Sequence, residues 1–254
     1  MDTFLELRNV TKSYGKVVAL HDINLKIGSN ELVGLLGDNG AGKSTLIKLM
    51  SGLFPVDAGE IHVHGKKVSR WTTWDARAAG IETVYQDKAL ADQQTVAWNI
   101  FMGREISGPL GHIKRQQQNA ETSKLLKDMG FTSKLLSPDS IVMNCSGGER
   151  EGIAISRAMY FKANLVILDE PTTALSVTET NKVLNFISKI KERGGACVVI
   201  MHNIYHAYRV AERFVIMDRG RIDREFNKSE VSCDDLIECM ATIASSANGC
   251  LEPQ

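Results

Sequence analysis

Residues 37–45 read GDNGAGKST, and this stretch constrains the fold more than any other part of the 254-residue chain. It follows the apolar run Leu32, Val33, Gly34, Leu35, Leu36 and precedes Leu46, Leu49, Met50 and Leu53, which are spaced as one helical face. A strand, a glycine-rich loop and a helix are therefore expected in succession. Glycines at 37, 40 and 42 allow positive φ and close approach of a ligand, so that successive backbone N–H groups point at phosphate oxygens. Lys43 is then placed to reach β and γ phosphates, Ser44 to offer its hydroxyl to Mg²⁺, and the following helix to present its positive dipole end. A G-x-x-x-x-G-K-[ST] match arises by chance in roughly one chain of this length in a hundred. The strand and helix around it lower those odds, and ATP or GTP binding follows.

Composition adds bounds. With 43% hydrophobic and 24% charged residues the chain can bury a sizeable core as one unit with a subdomain. Lys plus Arg and Asp plus Glu are both 30, so net charge gives no reason to expect nucleic acid or an anionic surface as partner. No apolar stretch reaches the roughly 20 residues that span a bilayer, and the first ten residues, MDTFLELRNV, lack the regions of a signal peptide. A cytosolic chain is expected. The cysteines at 145, 197, 233, 239 and 250 form no C-x-x-C pair and read as free thiols.

Along the chain, residues 4–10, 17–27 and 60–64 read as strands of a small antiparallel layer, with turns at Ser13-Tyr14-Gly15 and Asp57-Ala58-Gly59. Tyr14 either stacks on a base or packs on its own sheet. His62 and His64 alternate on one strand and read as surface histidines without a third metal ligand. Residues 81–86, IETVYQ, form a strand with a polar end, and residues 92–160 form a polar, mostly helical subdomain with a solvent-facing helix over 116–129.

NCSGGEREGIAISRAM, residues 144–159, places Ser146 as a helix N-cap with the amides of Gly147 and Gly148 exposed: a second anion site. Leu165-Val166-Ile167-Leu168 is a strand buried on both faces, and it ends in Asp169 and Glu170 at the ligand crevice. Asp169 suits Mg²⁺ through water, and Glu170 suits a general base for an attacking water. An amphipathic helix over 177–193, a strand over 196–201 ending at His202, a strand pair over 213–218 and 221–226, a helix near 232–243 and a frayed tail over 244–254 complete the chain.

Together these residues resemble the ATP-binding subunit of an ABC transporter, nearly throughout and in the family's order. The resemblance implies an α/β fold: a P-loop NTPase, RecA-like core with an antiparallel β subdomain and an inserted helical subdomain, as one domain over 1–243. It implies ATP and Mg²⁺ as cofactors. The Walker A loop comprises Gly37, Asp38, Asn39, Gly40, Ala41, Gly42, Lys43 and Ser44, with Thr45 beside it. Gln86 matches the Q-loop glutamine, with a place at the metal and in catalysis, and Ser146, Gly147 and Gly148 match the signature. Asp169 ends the Walker B strand, Glu170 matches the catalytic glutamate, His202 the switch histidine and Tyr14 the adenine-stacking aromatic.

The implied assembly is a head-to-tail homodimer in which each ATP lies between one Walker A and the partner's signature. It docks on an integral membrane permease, served by a periplasmic or extracellular solute-binding protein, and so is cytoplasmic and peripheral on the inner face of the membrane. There are two departures: the signature reads Cys145-Ser146-Gly147-Gly148-Glu149, with an acid where the family has Gln, and the D-loop reads Thr173-Ala174-Leu175-Ser176, without its usual Asp.

No Asn-Lys-x-Asp motif supports a GTPase, and neither coiled-coil insertion nor second cassette supports a soluble ABC ATPase of DNA or ribosomes. The run Asn99-Ile100-Phe101-Met102-Gly103-Arg104-Glu105 resembles that of monosaccharide importers, which makes import of a monosaccharide the expected function and residues 86–99 the expected permease contact. An amino-acid or other small-solute importer is the alternative.

Overall fold

In the computed structural model, which describes residues 2–86, 89–131 and 136–248, two sheets share one interior. Strands β1 (Thr3–Tyr14) and β2 (Val17–Gly28) form a long hairpin. β3 (Leu32–Leu36) leads through the glycine-rich loop into α1 (Lys43–Met50). Next come β4 (Ala58–Val63), β5 (Lys66–Lys67), α2 (Thr73–Ala78) and β6 (Ile81–Val84). The subdomain contributes α3 (Val96–Phe101), α4 (Arg115–Met129), a 3₁₀ turn (Val142–Asn144) and α5 (Gly147–Tyr160). The chain then continues through β7 (Leu165–Asp169), α6 (Val177–Glu192), β8 (Ala196–Ile200), α7 (Ile204–Val210), β9 (Arg213–Asp218), β10 (Arg221–Asn227) and α8 (Cys233–Asn248).

The four-stranded antiparallel sheet runs β2-β1-β4-β5, and the six-stranded sheet runs β10-β9-β3-β8-β7-β6. All neighbours in the second are parallel except β10 with β9. Its central strands are apolar throughout because both faces are covered. Val33 and Leu35 of β3, with Leu165 and Ile167 of β7, join the layer under the antiparallel sheet. Leu32, Leu36, Val166 and Leu168 join the layer under the helices. Each fully buried Leu or Ile adds about 1.5–3 kcal/mol relative to exposure. Arg213 at the start of β9 forks onto Glu31 just before β3, at 2.6 and 3.1 Å, and fixes the register of the two strands. Burial opposes the charge of Glu31, yet that fork and the Gly28 N–H hold its carboxyl below the usual range.

Several expectations need correction. His62 is buried and its Nε2 is hydrogen-bonded with Glu60 Oε2 at 2.8 Å. His64 lies past the end of β4 with φ 48°, so the two do not share a strand face. Its ring stands edge-on to Phe4 at 4.9 Å. The helix expected to face solvent, α4, buries Gln118, Thr122, Leu125, Leu126 and Met129 on one side. Helix α8 runs to Asn248, past the expected start of a frayed tail, and residues 249–254 lie outside the described residues. Cys145, Cys197, Cys233 and Cys239 carry free thiols as expected, and Cys250 is not among the described residues. Among the described residues no helix is long and apolar enough to cross a membrane.

Candidate functional site

The glycine-rich loop leaves β3, the strand flanked by β8 and β9, at its carboxyl end. Gly37, Gly40 and Gly42 all have positive φ, of 144°, 85° and 100°. At Gly37 the need for glycine is also steric: a Cβ would stand 2.3 Å from the Met217 carbonyl oxygen. Around Gly40 nothing lies within 4 Å of such an atom, so that part of the loop is open to a ligand. Gly42 is the N-cap of α1 and makes no side-chain cap, which leaves the first amides of that helix to another acceptor.

Lys43 folds back over the loop, its ammonium donating to the carbonyls of Gly37 at 2.7 Å and Asp38 at 2.9 Å. Burial pushes this ammonium down, while Glu170, Asp38 and Asp169 push it up. Ala41 accepts from the Gly220 N–H at 3.0 Å. Asn39, Gly40, Gly42, Lys43, Ser44, Thr45 and Glu170 line one cleft of about 400 Å³ with Val17, Val18, Ala19, Arg219 and Gly220.

Asp169 and Glu170 follow the last apolar residues of β7. Burial, then the neighbouring charge of Glu170, pushes the Asp169 carboxyl up against the opposing pull of Lys43. Glu170 has φ 53°, a strained conformation for a residue with a Cβ, of the kind found at functional sites. Both its carboxylate oxygens are held: Oε1 lies 2.5 Å from His202 Nε2, and Oε2 accepts from Thr173 Oγ1 at 3.2 Å. Glu170 shares the cleft with Ser44, and oxygen groups of this kind are the ligands a hard divalent cation takes. Among the described residues no group of three or more His, Cys, Asp or Glu is placed to hold a metal. Mg²⁺ here would complete its shell with phosphate oxygens and water.

Ser146 caps α5 as expected, its hydroxyl accepting from Glu149 N at 3.3 Å and Glu149 Oε2 accepting from Ser146 N at 2.9 Å. The acid in place of the family's Gln therefore completes a capping box. Ser176, in place of the D-loop Asp, caps α6 in the same way through Glu179. The other oxygen of Glu179 accepts from Gly148 N at 3.1 Å. That bond first, with those from Ser176, lowers the Glu179 carboxyl to about 2.

Ser146, Gly147 and Gly148 do not line their own chain's phosphate cleft. Nor does Gln86, which instead lines a separate cleft of about 440 Å³ with Leu90, Asp92, Cys145, Gly147 and Arg150. Tyr14 closes β1 and packs edge-on to Phe54 at 5.8 Å, while Val17 and Val18, both exposed, line the phosphate cleft. Sequence reading missed these two valines and the place of the Arg219-Gly220 hairpin in the cleft. A pair of exposed valines flanking a turn was the available signal for the first; for the hairpin there was none.

Comparison with known proteins shows the family and the fold. Residues 20–173 match the ABC transporter family. A xylose/arabinose import ATP-binding protein of Sulfolobus acidocaldarius is 42% identical over 96% of each chain. A fructose import ATP-binding protein of Rhizobium meliloti is 38% identical over 94% of each. A ribose import ATP-binding protein of Caldanaerobacter subterraneus is 31% identical over 94% of this chain, which spans 48% of that relative. The dimeric post-hydrolysis structure of an ATP-binding cassette with ADP and Pi superposes with TM-score 0.76 at 25% identity, covering 88% of this chain and 98% of that one. The chain belongs to the ABC transporter family and has the fold of its ATP-binding cassettes.

Proposed function

We propose that this chain, an ABC-type ATPase, powers import of a monosaccharide through a separate membrane permease, and that two copies close head to tail to form its ATP sites. The observation that carries the substrate class is the similarity, over 94–96% of both chains, to import ATP-binding proteins for xylose/arabinose and for fructose. The copies pair on the cytoplasmic face of the membrane, with a solute-binding protein delivering the sugar to the permease from the other side.

Bound Mg²⁺ and ATP supply the phosphoanhydride bond and the cation that neutralises its developing charge. The amides of Gly40, Gly42, Lys43, Ser44 and Thr45 cradle the phosphates, and Lys43 exchanges a loop carbonyl for phosphate oxygen. Ser44, Asp169 and Gln86 would hold Mg²⁺. Glu170 takes a proton from the attacking water, oriented by His202 and Thr173 on its two oxygens. Tyr14 and the exposed Val18 flank the base. The copies need each other because Ser146, Gly147 and Gly148 stand away from their own chain's cleft.

Deleting the gene and measuring uptake of labelled xylose, arabinose, fructose, ribose and a panel of amino acids tests the substrate class. Loss of monosaccharide uptake alone is expected. Normal sugar uptake with a lost amino acid overturns it.

A further inference from the structure

We propose that Glu179 is a built-in competitor for the signature's phosphate-binding amide: its carboxylate holds the Gly148 N–H to which the proposed function directs the γ-phosphate carried by a second copy. The inference rests on that in-trans reading and adds a residue to it.

The contact is constructed rather than incidental. Glu179 Oε1 accepts from Gly148 N at 3.1 Å, while Oε2 accepts from Ser176 N at 3.1 Å and Ser176 Oγ at 2.8 Å. The carboxylate thus bridges the first turns of α5 and α6. Its stem lies as close as a backbone permits: a Cβ on Gly148 would stand 2.8 Å from Glu179 Cβ, and one on Gly147 would stand 2.8 Å from Leu175 Cδ2. An anion already sits where the helix dipole and an open amide favour one.

A carboxylate and a phosphate cannot share that N–H in a closing interface, since like charges brought together there repel. A triphosphate carries the group that displaces Glu179; a diphosphate does not. Glu179 therefore raises the ATP concentration at which two copies close and keeps them apart in ADP.

The test measures ATP-dependent dimerisation of the full chain by sedimentation in a Glu170→Gln background, alone and combined with Glu179→Gln or Glu179→Asp. The Gln variant removes the charge. The Asp variant keeps the cap on Ser176, as Asp75 does for Thr72, but is too short to reach Gly148. Both double variants are expected to dimerise at ATP concentrations lower by on the order of tenfold, the equivalent of one hydrogen bond to a charged group. An unchanged or higher midpoint in either double variant, with the far-UV spectrum retained, overturns the proposal. If Glu170→Gln itself forms no ATP-dependent dimer, the in-trans reading fails and this inference falls with it.

Discussion

Glu170 and His202 stand just beyond the ends of adjacent parallel strands and meet at 2.5 Å between Oε1 and Nε2. Removing the base by Glu170→Gln is expected to leave ATP binding in place and lower turnover by about 10²–10⁴-fold. Steady-state hydrolysis alongside nucleotide titration checks this, and unchanged turnover removes Glu170 from its role. His202→Ala leaves one oxygen of the base unheld, so kcat is expected to fall while the Kd for ATP stays.

The in-trans arrangement makes a complementation prediction. Lys43→Ala and Ser146→Arg chains, each inactive alone, should regain ATPase activity when mixed, because the heterodimer has one intact composite site. No activity above that of the separate variants argues against assembly from two copies of this chain.

Asn99 is buried, and its side chain accepts from Ala91 N at 2.7 Å and donates to the carbonyls of Ala91 at 3.1 Å and Thr95 at 3.0 Å. It therefore fastens the loop from inside, although it lay in the segment expected to touch the permease. Asn99→Ala leaves the Ala91 N–H without its partner and takes the second donor from the Ala91 and Thr95 carbonyls, and it is expected to cost about 1–3 kcal/mol, read from urea denaturation. Trp98 and the exposed Met102 remain on the accessible side of the same run.

Gly37→Ala sets a Cβ against the Met217 carbonyl at a backbone angle that L residues rarely adopt. The loop must shift, and ATP binding should be lost while the fold survives, as nucleotide titration and circular dichroism would report.

The backbone and hydroxyl donors around Glu179 hold its carboxyl down at about 2 in the folded chain, against an ordinary value of 4.5. A carboxyl lowered by folding stabilises the native state above its unfolded value and loses that contribution as pH falls through the folded one. The stability difference between wild type and Glu179→Gln should therefore be constant above about pH 5.5 and shrink from there towards pH 2. Urea midpoints across that range check it; a difference independent of pH contradicts it.

Local chemistry was legible in the sequence: strand, glycine loop and helix around Lys43, the cap at Ser146, and the acids after β7 all lie in contiguous residues. What lies across sequence was not. The solvent-facing reading of α4 failed because Gln118 and Thr122 are polar yet buried against the subdomain. His62 and His64 were read by alternation, which the positive φ at 64 interrupts. Within the run resembling sugar importers, Ile100 and Phe101 are core, and Arg104 pairs with Glu82 and covers the Phe161 ring, none of which its residue order revealed. The bond between Glu179 and Gly148 carried no signal, since the two stand on different helices.

The hairpin at Arg219-Gly220 bears on how the protein comes off the ribosome. Gly220 donates to Ala41 and accepts from the His21 N–H, and β3 has β9 and β8 as its only neighbours among the described strands. The cradle is encoded early but is walled by residues made late. At 5–20 residues per second the loop waits roughly 10–35 s for that wall. Nascent chains shorter than this cannot be rescued by nucleotide, and they expose an apolar strand throughout the wait. The phosphate cradle is thus completed only when the last strands of the sheet emerge.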